Sequence, residues 1–281
     1  MFNFFANIFG YILNYVYNFV GNYGFAIIIF TILLKLIMLP MSIKQQKTMK
    51  KTTKIQAQVK DLQDKYSNDP VRLNQEMMDL YKAENMSPFS GCLSSILQIV
   101  IIISMFFLVS RPLTYMLHVE PEVINGYITE IQENSEERAN YQEIAVIREK
   151  GAEDEKVRIN MEFLGLDLSE VPSRSMSDWK VWIIPTMYVL TSIVSMKITM
   201  SMQNAKQKED TEKLEKTEEK EKDEEEEDTV AEMNKTMSYM MPIMSVSIAL
   251  IAPLGLALYW LVSNLLMIIE RLIINKVCKD A

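Results

Sequence analysis

The chain has 281 residues, of which 49% are hydrophobic and 23% are charged, and its formal net charge at pH 7 is −8. Its single histidine, His118, and its two cysteines, Cys92 and Cys278, are too few for a zinc cluster or for a catalytic site with more than one imidazole. The phosphate-binding run G-x-x-x-x-G-K followed by Ser or Thr does not occur, so the sequence predicts no nucleotide hydrolysis. Together with the scarcity of His and Cys, this predicts no enzymatic activity, no cofactor and no metal.

Charged residues are missing from four long stretches of the chain. No Asp, Glu, Lys, Arg or His occurs in Met1–Leu34, Phe89–Ser110, Val181–Met196 or Thr236–Ile269. A bilayer core about 30 Å thick is crossed by a helix of about 20 apolar residues. The sequence therefore predicts an all-α polytopic membrane protein.

Five membrane-spanning helices are predicted from these stretches. The last stretch would form a helix of about 50 Å, which is longer than the bilayer core is thick, and Pro253 and Gly255 stand where a turn would divide it. The predicted spans are residues 24–43, 89–110, 181–199, 236–252 and 255–274.

Residues 1–20 are predicted to form an amphipathic helix that lies in the membrane interface. The segment is rich in aromatic residues and carries Asn3, Asn7, Asn14 and Asn18. A cleaved signal peptide is the alternative, but no basic residue precedes the apolar run and no small-residue cleavage site follows it.

Lysines set the predicted orientation. None precedes the first span, whereas a group of them follows it at once: Lys44, Lys47, Lys50, Lys51 and Lys54. Because Lys and Arg concentrate in cytoplasmic loops, the N-terminus is predicted outside and the C-terminus in the cytoplasm. The connecting segments are then a cytoplasmic loop (44–88), an external loop (111–178), a charged cytoplasmic linker (200–235) and a cytoplasmic tail (275–281). The linker is predicted to be solvated, with a partner-binding acidic segment as the alternative.

The cytoplasmic loop is predicted to be a helical hairpin. Apolar residues recur at helical spacing in each arm: Ile55, Val59, Leu62 and Tyr66 in the first, and Leu73, Met77 and Leu80 in the second. Between the arms, Asp69 is a suitable N-cap and Pro70 suits the first helical position. The hairpin is either a self-packed spacer or a docking surface.

Lys35 lies about eleven residues into the first span, deep in the membrane. A lysine near the centre of a span costs about 2.5 to 3.5 kcal/mol and usually faces a bundle interior or a water-filled cavity. The charge-free stretches offer no Asp or Glu as a counter-ion, so the sequence predicts water beside this cation and a polar groove around it. The predicted groove residues are Thr31, Lys35, Ser94, Ser95, Gln98, Thr191, Ser192, Ser195, Ser263 and Asn264. The alternative is that the Ser, Thr and Asn side chains form hydrogen bonds between helices.

Several sequence blocks carry a resemblance to a known family. They are Tyr23–Ile28 with Lys35–Pro40, Gly91–Leu93 with Gln98, Phe163–Leu168, and Pro253–Asn264. In these blocks the chain closely resembles the YidC/Oxa/Alb family of membrane protein insertases, and the resemblance runs from about Tyr15 to Val277. Lys35 stands where the family usually has a groove arginine, which keeps the charge but loses the planar guanidinium fork.

The resemblance implies five transmembrane helices around a groove that opens to the cytoplasm and to lipid. Transmembrane segments of newly made proteins would pass through it into the bilayer without nucleotide hydrolysis. The implied lateral substrate contacts are Met187, Tyr188, Tyr259 and Trp260. The implied partners are nascent membrane proteins and the lipid bilayer, with the Sec translocon and the ribosome as further candidates and no direct nucleic-acid contact; the implied location is the bacterial cell membrane. A small-solute channel or transporter and a passive membrane scaffold are the alternatives.

Overall fold

The computed structural model describes residues 2–67, 69–84, 90–134, 141–215 and 249–277, and these residues are mostly helical. The α-helices are α1 (Phe2–Val20), α2 (Tyr23–Lys65), α3 (Pro70–Ala83), α4 (Ser90–Ser110), α5 (Pro112–Tyr115), α6 (Pro121–Asn134), α7 (Gln142–Lys150), α8 (Ile183–Glu215) and α9 (Leu254–Val277). Two short 3-10 helices, Glu155–Val157 and Trp179–Trp182, and an antiparallel hairpin of β1 (Glu162–Phe163) and β2 (Leu166–Asp167) complete the described elements.

Three segments within the described residues are long and apolar enough to cross a membrane: Tyr23–Gln45, Trp179–Ile198 and Leu254–Ile274. A shorter apolar helical segment, Ile99–Ser110, lies in α4. The predicted span 236–252 falls outside the described residues except at its end. A helical protein with several membrane spans is therefore confirmed, while the number five stays a prediction.

Helix α2 continues without a break from Tyr23 to Lys65 and contains Pro40. The apolar segment of this helix, Tyr23–Gln45, lies close to the predicted span 24–43, and the predicted first hairpin arm follows in the same helix. Proline removes one backbone donor, but the Lys- and Gln-rich residues that follow it have high helix propensity. The span and the first arm are consequently one helix.

The chain divides into two compact units. The first is drawn from Met1–Ile37, Val100–Ser195 and Lys235–Ala281, and the second from Met38–Ile99 and Met196–Asn234.

In the first unit, helix α1 packs through one face and exposes the other. A Cβ atom on Gly10 would lie 1.8 Å from the carbonyl oxygen of Tyr115, so this close approach requires glycine. On the opposite face, Tyr15 and Phe19 are 81% and 91% exposed. The buried residues of the packed face are Ala6, Phe9, Gly10, Leu13 and Val16. The helix is amphipathic, and its placement in the membrane interface stays a prediction.

A segment around β1 and β2 contacts the first turns of α2 and α9. The backbone N–H of Tyr23 donates to the carbonyl of Asn160 (3.0 Å), and the N–H of Gly255 donates to the carbonyl of Leu168 (3.0 Å). Helix N-termini carry N–H groups without partners inside the helix, and here the same segment accepts from both. The starting points of α2 and α9 are thereby fixed relative to each other.

The β1–β2 hairpin is held against the start of α2. Leu164 and Gly165 have φ angles of 51° and 78°, the positive values that a tight two-residue hairpin turn requires. A Cβ atom on Gly24 would lie 2.4 Å from the ring of Phe163, so the ring sits directly on the helix backbone. Phe163 also packs edge to face on Phe25, with ring centroids 5.1 Å apart.

In the second unit, the end of α2 and helix α3 carry the predicted apolar stripes. Asp69 caps α3 by accepting from the backbone N–H of Arg72 (3.1 Å), and Pro70 is its first residue. The hydroxyl of Tyr66 donates to Oε1 of Glu76 (3.4 Å), which ties the two helices beside the turn. Of the stripe residues, Ile55 is buried and the others are half-buried: Val59, Leu62, Tyr66, Leu73, Met77 and Leu80. The location of this hairpin in the cytoplasm stays a prediction.

Candidate functional site

Lys35 on α2 faces Glu270 on α9. The lysine Nζ lies 3.6 Å from Oε2 of the glutamate, and the two side chains are 26% and 13% exposed. Both residues belong to segments apolar and long enough to span a membrane. The expectation that Lys35 has no acidic counter-ion is therefore wrong.

Glu270 escapes the sequence prediction although it lies inside the predicted span 255–274, because the counter-ion is sought only in the charge-free runs, the last of which ends at Ile269. The apolar segment of α9 extends to Ile274, so the structure also places this charge inside the span. One sequence signal could have identified it. Glu270 stands seven residues, about two turns, after Ser263, so both belong to the same helix face.

The contact between Lys35 and Glu270 is electrostatic and is not a hydrogen bond. Its 3.6 Å separation exceeds the 2.7–3.2 Å that is typical of an N–H···O hydrogen bond. Arg271, the next residue on α9, also interacts electrostatically with Glu270. Since an isolated charge is expensive inside a membrane, this opposite charge makes Lys35 tolerable in the span.

Polar residues of α8 and α9 contact one another. Nδ2 of Asn264 donates to Oγ of Ser192 at 2.6 Å, which links the two helices. Tyr259 and Ser263 share a side-chain hydrogen bond within α9. The hydroxyl of Thr191 donates to a carbonyl one turn back in α8. For Ser192 and Asn264 the geometry favours a bond between helices over an open polar wall.

The remaining predicted groove residues differ in their surroundings. Thr31 is fully buried, and its hydroxyl donates to the carbonyl of Ile27 (2.6 Å), a bond within α2. Ser195 is 6% exposed. The backbone of Ser94, Ser95 and Gln98 is in α4, but their side chains lie outside the described residues. The structure thus brings together Lys35 with Glu270 and Ser192 with Asn264, and their roles in a groove stay predictions.

The predicted lateral contacts form a partly packed aromatic group. The rings of Tyr188 and Trp260 are 5.9 Å apart across α8 and α9. Tyr188 and Tyr259 are buried, Trp260 is half-buried, and Met187 is 47% exposed. Met187 is the member of this group that presents most of its surface outward, and substrate contact at all four positions stays a prediction.

The bond between Asn264 and Ser192 is expected to couple α8 and α9 energetically. We expect a double-mutant cycle with Asn264→Ala and Ser192→Ala to give a coupling free energy of about 0.6 kcal/mol, the usual value for such bonds between membrane helices. Unfolding free energies measured by steric trapping in bicelles would supply the cycle. Thr114→Ala paired with Asn264→Ala is a control cycle of unconnected residues and should give no coupling. A coupling indistinguishable from that control would show that the bond does not hold these helices together.

Comparison with known proteins shows which family the chain belongs to. The family model described as the 60Kd inner membrane protein matches residues 15–281. The chain is 25% identical over 254 residues to the membrane protein insertase YidC of Fusobacterium nucleatum, covering 90% of this chain and 86% of that protein. It is 26% identical over 265 residues to membrane protein insertase YidC 1 of Listeria monocytogenes, covering 92% of this chain and 66% of that protein.

A third relative, the membrane protein insertase YidC of Treponema denticola, is 25% identical over 257 residues, which cover 92% of this chain and 35% of that protein. The chain therefore spans about a third of the Treponema relative and about two thirds of the Listeria relative. The chain belongs to the 60Kd inner membrane protein family, the YidC/Oxa/Alb family that its sequence blocks resemble. It is accordingly a multi-pass protein of the cell membrane, and its relatives are named as insertases rather than as enzymes.

Proposed function

We propose that this protein is a membrane protein insertase that moves transmembrane segments of newly made proteins from the cytoplasm into the bilayer. The observation that carries the proposal is the salt bridge of Lys35 with Glu270, within two apolar spans of a chain that belongs to an insertase-containing family. Lys35 keeps 26% of its side chain exposed, so its charge can be reached from outside the helix bundle. The proposal includes an external N-terminus, a cytoplasmic C-terminus, and nascent membrane proteins and lipid as partners, with the Sec translocon and the ribosome as candidates.

The chemistry required is the transfer of a short polar flank, not the making or breaking of bonds. A polar or acidic flank that precedes a substrate helix cannot cross hydrocarbon without a large cost. An ammonium group part of the way into the membrane lowers that cost by attracting the acidic residues. The membrane potential then favours outward movement of negative charge.

Burial of the apolar substrate helix in lipid would drive its release. Each apolar side chain that leaves water for hydrocarbon contributes about 1.5 to 3 kcal/mol, so a span of about 20 residues supplies ample free energy without a nucleotide. The aromatic group of Tyr188, Tyr259 and Trp260, with the exposed Met187, is our candidate for the side through which the helix leaves. The hairpin of α2 and α3 is the candidate for first contact with the substrate.

Insertion by purified protein in liposomes tests the proposal. The substrate is a single-span protein whose N-terminal flank carries two Asp residues, and its protection from protease reports insertion. We expect wild-type protein to protect it, empty liposomes not to, and Lys35→Leu to reduce protection about tenfold, since a contact to a charged group is worth about 1.5–3 kcal/mol.

Two controls separate a lost charge from lost structure. Lys35→Leu combined with Glu270→Leu removes both charges of the pair, so it leaves no unpaired carboxylate and should insert the acidic substrate as poorly as Lys35→Leu. Lys180→Leu removes an exposed lysine from the 3-10 helix Trp179–Trp182 and should insert like wild type. Equal protection by wild-type and empty liposomes would contradict the proposed function.

A further inference from the structure

The two side chains of the Lys35–Glu270 pair differ in their exposure. Glu270 is the more enclosed partner, with 13% of its side chain exposed, while Lys35 retains 26%. A carboxylate of an incoming substrate would therefore reach the lysine and not the glutamate. At 3.6 Å the two are attracted but are not held in a hydrogen bond, which leaves the lysine N–H groups available to a closer oxygen.

A second cation is adjacent to the glutamate. Arg271 follows it on α9 and interacts with it electrostatically. If a substrate carboxylate bound Lys35, Glu270 would still have an opposite charge beside it. The displaced state therefore does not leave a lone carboxylate in the membrane, which would be costly.

We propose that Glu270 is a built-in competitor for Lys35 and sets how acidic a substrate flank must be to enter. This inference rests on the proposed insertase function. In the protein without substrate the charges of Lys35 and Glu270 cancel, and the glutamate partly screens the charge of the lysine. A substrate carboxylate must replace Glu270 at Lys35, so a flank with one carboxylate gains little net free energy from the exchange. A flank with two carboxylates gains a second contact, because the lysine ammonium group has three N–H donors. Glu270 is thus a specificity-determining residue that raises the charge threshold.

The test compares substrates that differ in the number of acidic residues in an otherwise identical flank: none, one Asp or two Asp. Wild-type protein in liposomes is expected to insert the two-Asp flank well and the one-Asp flank barely better than the neutral one. Glu270→Gln preserves the size of the side chain and removes its charge. It is expected to raise insertion of the one-Asp flank relative to the neutral flank by about tenfold, the effect of one contact to a charged group.

A matched control is Glu122→Gln, which neutralises an exposed carboxylate on α6. It should leave the ratio of one-Asp to neutral insertion at the wild-type value. If Glu270→Gln also leaves that ratio unchanged, or lowers all three substrates equally, Glu270 has a structural role only and the inference is overturned. Should Glu270→Gln not fold, Glu270→Asp keeps the charge on a shorter side chain and should give an intermediate ratio; an unchanged ratio overturns the inference equally.

Failure of the proposed function is recognised separately. Fluorescently labelled flank peptides are titrated onto wild type and Glu270→Gln in nanodiscs, which measures binding without insertion. Tighter binding of the one-Asp peptide to Glu270→Gln, together with no insertion by any variant, would reject the insertase function and leave the competition intact. Equal binding to both proteins would reject the competition whatever the insertion assay shows.

Discussion

A protein that carries Lys35→Glu is expected to lose about 3 kcal/mol of its free energy of unfolding, and Glu270→Lys in the same chain is expected to restore part of that loss. The single change places a carboxylate opposite Glu270, where the native pair is separated by 3.6 Å. Like charges in a poorly solvated site repel, and removing one partner of a buried pair costs about 3–5 kcal/mol. The lower end applies because both side chains keep some exposure. Steric trapping in bicelles measures each free energy.

Recovery by the reciprocal variant is expected to be incomplete. Glutamate is shorter than lysine, so the exchanged charges meet at a different point between the helices, and the lysine introduced by Glu270→Lys would stand beside the like charge of Arg271. Lys180→Glu provides the control, since it reverses an exposed charge outside the pair and should change stability by less than about 0.5 kcal/mol. A double variant no more stable than Lys35→Glu alone would show that the two residues do not pair.

The sequence is sufficient to identify Lys35 and insufficient to find its partner. A charge inside an apolar run is conspicuous because it is recognised from its sequence neighbours alone, before any contact with another helix is known. Glu270 lies within the predicted span 255–274 just after a charge-free run, and its pairing with Lys35 depends on which face of α9 turns toward α2. That rotation is set by contacts at distant residues, among them the segment that accepts hydrogen bonds from both Tyr23 and Gly255.

The polar residues of α8 and α9 show the same limit. Helical spacing places Thr191, Ser192 and Ser195 on one face of their span, but spacing cannot distinguish a water-lined wall from a hydrogen bond to another helix. The 2.6 Å contact between Ser192 and Asn264 depends on the register of two helices that are far apart in sequence. The sequence places the end of the first span at residue 43, near the end of the apolar segment Tyr23–Gln45, but it does not show that the helix itself continues to Lys65.

Within the segment predicted as an external loop (111–178), the structure gives Glu143 on α7 a structural role. Its Oε2 accepts from the backbone N–H of Thr114 (2.9 Å) and its Oε1 accepts from the Thr114 hydroxyl (2.6 Å). The backbone N–H is in the first turn of α5, where helix donors lack partners within the helix. Glu143 therefore caps another helix from 29 residues away, a contact that no local sequence pattern indicates.

Stability is expected to fall as the pH rises, owing to Glu143. Burial raises the pKa of this carboxyl above its ordinary value of 4.5, and this outweighs the lowering by the Thr114 hydrogen bonds and by the charge of Arg111. With a raised pKa the folded protein holds the proton more tightly than the unfolded chain does. The contribution of Glu143 to the free energy of unfolding is therefore complete below its pKa in the unfolded chain, about 4.5. It is lost as the pH rises through its pKa in the folded protein.

Glu143→Gln is expected to abolish this part of the pH dependence, because its amide does not titrate. The amide oxygen can still accept one of the two Thr114 hydrogen bonds, whereas Glu143→Leu leaves both donors without this acceptor and should cost about 1–3 kcal/mol for each donor left unsatisfied. Thermal unfolding in detergent from pH 4 to pH 8 measures the effect. The melting temperature of wild type should exceed that of Glu143→Gln most at the acidic end, and the difference should narrow as the pH rises. Glu122→Gln, on the exposed side of α6, should follow the wild-type curve throughout. Parallel curves for wild type and Glu143→Gln would mean that Glu143 titrates alike in the folded and unfolded protein. In that case its burial against α5 could not be the source of any acid stabilisation.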